Sequence, residues 1–321
     1  MLAYVVRRLA SSIPVLIVTS LIVFFGVSSV GDPLAEIKLR PRFSQVTVDL
    51  ITERKHLDDP LIVQYGYWLG DAATNRFGTT LLSDRPIWPE LSRALKNTVQ
   101  LVIAAEVFAI ILALLLGVLS ARKQYSFFDY ATTTISFFGY SVPIFWFALI
   151  LQVIVTNIFL ATGVRVFYTA GLSSPAPGNF FIDRLQHLAL PIIALSYVSI
   201  AQYSRYARGS MLEVLNSDYV RTARAKGLSE RSVTMKHALR NALIPVVTVA
   251  AVNMGAVFSG VILTESVFSL DGMGLFFVEA LARREVYSLM AWLMVTSVFI
   301  IVFNLIADIV YGVLDPRIRY D

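Results

Sequence analysis

Residues able to do chemistry are sparse in this chain, and where they cluster they are cations, not acid–base pairs. From Ser217 to Pro245 the sequence reads SDYVRTARAKGLSERSVTMKHALRNALIP, a basic run set between two apolar segments. Tyr219, Arg221, Arg224 and Lys226 supply an aromatic anchor and cations, and tyrosine and arginine are types enriched where proteins dock on one another. Ala223 and Ala225 would let a second surface come close. Such a set can hold a partner or an anionic surface. On composition alone the favoured reading is a basic loop that fixes topology and touches anionic lipid.

Other reactive constellations are missing. The chain has no cysteine, which excludes disulfides, thiolate metal sites and a cysteine nucleophile. His56, His187 and His237 are scattered, which argues against a histidine metal site. Gly26 and Gly31 have the spacing of P-loop glycines, but Asp32 and Pro33 follow where Lys and Ser/Thr are required. No Gly-x-Ser-x-Gly elbow or His-Glu-x-x-His helix occurs. Catalysis is therefore not expected of this chain, nor is nucleic-acid binding read into its net charge of +5. One acid, Glu106, falls well inside an apolar run. An ionisable group there must face a partner or a water-filled path, so transport and a structural hydrogen bond between helices compete.

The elements that must position these residues follow from the apolar pattern. Ser217 or Asp218 can cap a short helix, and Gly227 can stop it. The eight residues between, Tyr219 to Lys226, make a helix of about 12 Å, too short to be stable alone in water. It has to dock.

With 56% hydrophobic and 15% charged residues and a mean hydropathy of +0.68, the chain is an integral membrane protein. Six segments are long enough to span a bilayer, approximately 9–30, 98–120, 132–161, 187–206, 242–264 and 288–312. Continuous Leu, Ile, Val and Ala runs favour helices over barrel strands, so the fold class is all-α. The first span is read as retained, because its apolar run is too long for a signal peptide. Lys and Arg number 14 on one set of short segments, at the N-terminus, after the second span, from Arg205 to Arg240 and at the end. The 162–185 and 265–287 loops hold four. That asymmetry places both termini and the basic run in the cytoplasm.

The 31–97 insert, with nine basic residues, is then extracytoplasmic and too long for a passive connector. Ser44 to Leu57 is expected to form a short amphipathic helix. Tyr65, Tyr67 and Trp68 would lie at headgroup level or under a docked partner. Asn97 and Thr98 are expected to cap the second span. Pro143 should kink the third span or open a cavity, and Pro191 should sit in the first turn of the fourth. Gly272 and Gly274 suit a tight, re-entrant turn or a plain one.

Three stretches carry a resemblance. They are Arg208-Gly209-Ser210-Met211-Leu212-Glu213-Val214-Leu215, then Asp218 through Leu228 with Arg221-Thr222-Ala223-Arg224-Ala225-Lys226-Gly227-Leu228, then His237 through Pro245. Together they resemble the cytoplasmic coupling loop of bacterial ABC importer permeases, most of all the dipeptide/oligopeptide (peptide/nickel) family. The general importer pattern is E-A-A, three residues, G, nine residues, I-x-L-P. Arg221-Thr222-Ala223 and His237-Ala238-Leu239-Arg240 stand here instead, a departure that points away from sugar and amino-acid importers. The likeness extends through Asp59-Pro60-Leu61, Gln64-Tyr65, Trp68, Phe77-Gly78-Thr79, Pro143, Phe145-Trp146, Glu265, Phe268-Ser269 and Gly272-Met273-Gly274. It ends on Asn304, Asp308, Tyr311 and Asp315-Pro316-Arg317. Where the family shows Arg-Asp-Tyr, this chain has Arg284-Glu285-Val286-Tyr287.

The resemblance implies a type I ABC importer permease fold over one transmembrane domain, residues 1–321, with the insert at 31–97 marking the B-type subunit and a cytoplasmic coupling loop at 207–241. It implies Tyr219, Arg221, Thr222, Ala223, Arg224, Ala225, Lys226 and Gly227 as the ATPase-coupling residues. The implied partners are a second homologous permease subunit, two ABC ATPase subunits carrying ATP and Mg, an extracytoplasmic peptide-binding protein and membrane lipid. No cofactor is expected on this chain. The implied location is the bacterial cytoplasmic membrane. An ion-coupled secondary transporter, or the same importer class carrying nickel or glutathione, remains the alternative.

Overall fold

The computed structural model describes residues 2–29, 31–38, 44–74, 76–81 and 83–314. Arg40, Pro41 and Arg42 of the insert, and Asp315, Pro316, Arg317 and Arg319 at the end, lie outside these. In chain order the helices are α1 (Leu2–Ser28), α2 (Ala35–Lys38), α3 (Gln45–Arg54), α4 (Leu61–Thr74), α5 (Ile87–Arg122), α6 (Phe127–Ser141) and α7 (Ile144–Thr162). There follow α8 (Phe180–Leu215), α9 (Asp218–Ala225), α10 (Glu230–Ser232), a π-helical turn (Val233–Ala238), α11 (Leu239–Val267), α12 (Met273–Ala282) and α13 (Val286–Leu314). No strand occurs among the described residues, where Thr79 and Pro86 form an isolated bridge.

Among the described residues, five helices are long and apolar enough to cross a bilayer: Val5–Ser28, Ile87–Arg122, Ile144–Thr162, Phe180–Leu215 and Val286–Val310. The expected fifth span, 242–264, falls in the 29-residue α11, in which the side chains of 255–260 lie outside the described set.

The chain resolves into two compact units. One takes the residues up to Thr98 plus Asp271–Val302, and the other takes Val99–Leu270 plus the residues from Phe303 on. In the first unit the insert is largely helical. Ser44 caps α3 by accepting from the Thr47 amide, close to the amphipathic helix expected there. Trp68 of α4 is buried with Phe24 of α1 and Met290 of α13, and the Tyr65 hydroxyl bonds Ser20 at 2.8 Å. Trp68 is thus packed within this unit and Tyr65 is half-buried against it. Only Tyr67 turns outward, stacked on His56 at 3.9 Å. Lys55 reaches the Thr79 carbonyl and hydroxyl (3.0 and 2.7 Å), and burial pushes its ammonium below the ordinary lysine value. Glu285 accepts from the Leu81 amide at 2.9 Å.

Asn97 and Thr98 do not cap the second span. α5 starts at Ile87, with Pro89 in the first turn where its missing N–H is harmless. Both side chains serve another helix instead: Asn97 donates to the Asp271 carbonyl (2.6 Å), and Thr98 accepts from the Met273 amide (2.8 Å) at the start of α12. Gly272 there is extended, at φ −125° and ψ −177°, so its backbone does not demand glycine.

In the second unit α8 packs against α6, α7 and α11. Buried small residues recur every four positions on α5, at Ala105, Ala109, Ala113, Gly117 and Ala121, which keeps one face smooth for close helix contact. Ala109 and Ala113 pack with Tyr203 and Ala207 of α8 and Val246 and Ala250 of α11. The third expected span is broken rather than kinked. Proline disfavours helical backbone in the residue before it, and Val142 is accordingly extended at φ −90° and ψ 126°, with Pro143 opening α7. The Tyr197 hydroxyl donates to the Val142 carbonyl. Pro191 lies well inside α8, not in its first turn, because the helix begins upstream at Phe180, capped by Asn179.

Candidate functional site

The basic run folds as expected in outline. α9 covers Asp218–Ala225, one residue earlier than the expected Tyr219–Lys226, with Lys226 at its C-cap. Gly227 follows at φ +76°, a left-handed conformation that glycine adopts without penalty. A Cβ at Gly227 would meet nothing within 4 Å, so the backbone conformation alone selects glycine. Ser217 occupies the N-cap position, but its hydroxyl donates back to the Val214 carbonyl at 2.6 Å and leaves the first turn uncapped. Asp218, at the positive end of the helix dipole, sits 3.6 Å from Arg221.

The docking that so short a helix needs is supplied within the chain. Val220 and Ala223, three residues apart, turn to one face and are fully or almost fully buried. They pack with Ala121 of α5, Met211 of α8, Val233 and Ala238 of the π-helical turn and Ala242 of α11. Ala223 therefore belongs to the inner face, which corrects its expected place on a surface offered to another protein. Tyr219, Arg221, Thr222, Arg224, Ala225, Lys226 and Gly227 are all exposed. Four of them also make local contacts: Arg221 lies beside Asp218 and donates to the Asn216 carbonyl, and the Thr222 hydroxyl donates to the Asp218 carbonyl at 2.9 Å. Arg224 pairs with Glu230 at 2.8 Å and donates to the Leu215 carbonyl, and Tyr219 accepts from Asn241 at 2.8 Å. Arg221, with a side chain 75% exposed, and Ala225 occupy the face opposite Val220 and Ala223.

Glu106 is 2% exposed, and the hydroxyl of fully buried Tyr203 donates to its Oε1 at 2.6 Å. Of the two readings of this acid, the structure supplies the interhelical hydrogen bond, from α8 to α5. His187 stacks on Tyr168 at 3.9 Å, with Nδ1 2.8 Å from the Asp183 carbonyl. His56 lies beside Asp59 at 3.2 Å.

One cluster escaped sequence reading. Asp129, in the first turn of α6, is 2% exposed and receives four hydrogen bonds. Arg208 of α8 binds both carboxylate oxygens, Nε to Oδ1 at 2.6 Å and Nη2 to Oδ2 at 2.8 Å. Ser120 of α5 donates to Oδ1, and the Tyr125 amide donates to Oδ2 at 3.0 Å. The Arg208 guanidinium holds this carboxyl well below the usual carboxylate range, with the Ser120 and Tyr125 donors adding to the effect against the opposing pull of burial. The available signal was an acid three residues after Ser126, which caps α6 as the Asp129 amide donates to it.

Comparison with known proteins follows the same outline. Residues 109–320 match the family described as binding-protein-dependent transport system inner membrane component. The chain is 37% identical to the oligopeptide transport system permease protein AppB of Bacillus subtilis (strain 168), over all of both chains. It is 39% identical to the dipeptide transport system permease protein DppB of Alkalihalophilus pseudofirmus, again over the whole of each. Against the dipeptide permease protein DppB of Escherichia coli (strain K12) the identity is 36%, over 100% of this chain and 99% of that protein. The chain is a multi-pass bacterial inner-membrane protein and belongs to the family of binding-protein-dependent transport system inner membrane components.

Proposed function

We propose that this chain is the transmembrane permease subunit of an ATP-driven importer that moves di- or oligopeptides into the cytoplasm by alternating access. The observation that carries the reading is its end-to-end similarity to permeases named for dipeptide and oligopeptide systems. The geometry of α9 supports the energetic half. A helix of eight residues, seated by Val220 and Ala223 against α5, α8 and α11, presents Arg221, Thr222, Ala225 and Lys226 outward. Because α8 leads into α9 with two residues between, movement of a protein docked there reaches the membrane helices as rigid-body motion.

In this reading the chain crosses the membrane six times with both ends cytoplasmic, α11 providing the fifth span. The 31–97 insert faces outward and, with the 265–287 loop, receives a peptide-binding protein. A second permease completes the pathway. Two ATPase subunits hydrolyse ATP, and this chain contributes no catalytic group.

The test is a double substitution on the outward face, Arg221→Glu with Ala225→Glu, in cells carrying the whole transporter. ATPase subunits should no longer co-purify with the permease, and ATP-dependent uptake should fall by tenfold or more, the size of a lost interface anchor of about 1.4 kcal/mol or above. Unchanged co-purification and uptake would remove α9 as the docking element. Uptake driven by an ion gradient without any ATPase would remove the importer reading, and competition by nickel or glutathione against labelled peptide would redirect its substrate.

A further inference from the structure

We propose that Asp129 is a coupling latch, whose single carboxylate binds α6 to the block on which α9 is seated so that the two move together. The inference rests on the reading of α9 as the ATPase-docking helix. Asp129 gathers Ser120 from the end of α5, the Tyr125 amide from the α5–α6 turn and Arg208 from α8. Tyr125 is itself held at φ +62°, a conformation unfavourable for a non-glycine residue and sustained here by that bond.

The residues beside these partners form the seat of α9. Ala121 directly follows Ser120, and Met211 lies one turn beyond Arg208. Both pack against Val220 and Ala223. A displacement of α9 therefore pushes on the same two turns that grip Asp129.

The far end of α6 meets a break in the helix, where the Tyr197 hydroxyl of α8 donates to the Val142 carbonyl. α6 is a rod of 15 residues, about 22 Å long, that ends at the extended Val142 before Pro143. Between these two ends its polar and cation–π ties to α8 are looser. Ser136 and Ser204 approach to 3.2 Å, and Arg205 lies 5.2 Å over the Phe137 ring and 5.6 Å over the Tyr140 ring. Gripped through charge at Asp129 and by the Tyr197 hydroxyl at Val142, α6 is a rod that follows the α5–α8 block when that block shifts.

Energetics agree with this role. A buried ion pair is seldom more stabilising than apolar side chains of the same volume, so stability alone gives little reason for charge beside the apolar seat of α9. What the pair adds is a fixed register between helices.

The decisive measurement is peptide imported per ATP hydrolysed, by the complete transporter in liposomes, with labelled trialanine as the probe. Asp129→Asn keeps the size of the side chain and removes its charge. ATP hydrolysis should stay near that of the wild type, while uptake per ATP falls about tenfold, within the range of coupling between sites. Ser120→Ala, which preserves the ion pair, should lower the same ratio less. A parallel fall of hydrolysis and uptake would assign Asp129 a structural role only and overturn the latch, as would an unchanged ratio in an assembled complex. If Asp129→Asn does not assemble, Ser120→Ala carries the test by the same two criteria. Wild-type uptake that needs no ATP would overturn the importer reading itself, an outcome separate from any behaviour of the variants.

Discussion

Glu106 and Asp129 lie in the same compact unit, and each is 2% exposed, yet the protein holds them in opposite ways. Glu106 sits in the middle of α5 and takes a hydrogen bond from one neutral hydroxyl, that of Tyr203. Asp129 sits at the start of α6 and takes four, two of them from a guanidinium. Within an apolar helix stack a carboxyl can be accommodated by one donor on the neighbouring helix, and losing that donor changes little else. At the point where the chain turns from α5 into α6, three separate segments need a common anchor, and only a carboxylate with all its acceptor positions filled supplies one. Of these two buried acids, one is accommodated and the other anchors several segments, and the donor count separates them.

Removing Arg208 should produce the largest effect. Arg208→Ala leaves the Asp129 carboxylate, whose side chain is 3% exposed, without its cation. Breaking a buried pair from one side costs about 3–5 kcal/mol. Asp129→Ala should cost less, because the orphaned Arg208 side chain is 28% exposed and can draw on water. Thermal unfolding of the purified permease measures both, and a reversed order would break the comparison. The pH response has a definite sign. The folded carboxyl titrates below its unfolded value of about 3.9, so its stabilisation is complete above that value and is lost as pH falls through the lower, folded one. Wild-type stability should thus gain no slope from Asp129 between pH 5 and 8.

Gly117 offers a steric route to the same anchor. A Cβ there would lie 2.5 Å from that of Ala207, 2.8 Å from the Ser204 carbonyl oxygen and 3.0 Å from the Arg208 nitrogen. Two of these atoms are backbone and cannot swing aside. Gly117→Ala should cost about 1–3 kcal/mol, as overpacking does, by prising α5 from α8 at the level of Arg208. Gly139→Ala is the control, since its nearest neighbour, the Ala201 Cβ, stays at an ordinary 3.4 Å. Equal losses at the two sites would show that the α5–α8 approach is not special.

Much of this arrangement was legible beforehand, and the remainder was hidden for physical reasons. α9 was framed by Ser217 and Gly227, and it emerged one residue early because local punctuation marks where a helix can stop. The break at Val142 was within reach, since a residue before proline avoids helical backbone, but an apolar run on both sides read as one span. Asn97 and Thr98 looked like caps because they precede an apolar run. Their true partners, Asp271 and Met273, lie more than 170 residues away. Asp129 and Arg208, 79 residues apart, pair only once α6 and α8 are set at particular rotations, which hydropathy does not encode. The small-residue ladder from Ala105 to Ala121 was plain at spacing four and marks the face of α5 that meets α8. With it, the close approach at Gly117 could have been anticipated.

The smallest effect should come from the Glu106 side of the comparison. Tyr203→Phe deletes the hydroxyl and keeps the ring, which is fully buried among Ala109, Ala113, Ala207, Val246 and Ala250. Side-chain hydrogen bonds between membrane helices average about 0.6 kcal/mol and reach about 1.7, because the separated helices also find partners in the bilayer. Tyr203→Phe should fall in that range, and Glu106→Gln, which keeps an acceptor for the Tyr203 hydroxyl, should fall below it. Uptake per ATP should be unchanged in both variants, in contrast to Asp129→Asn. A loss from Tyr203→Phe as large as that from Arg208→Ala would mean that Glu106 anchors helices as Asp129 does, and that the number of donors around a buried acid does not report its role.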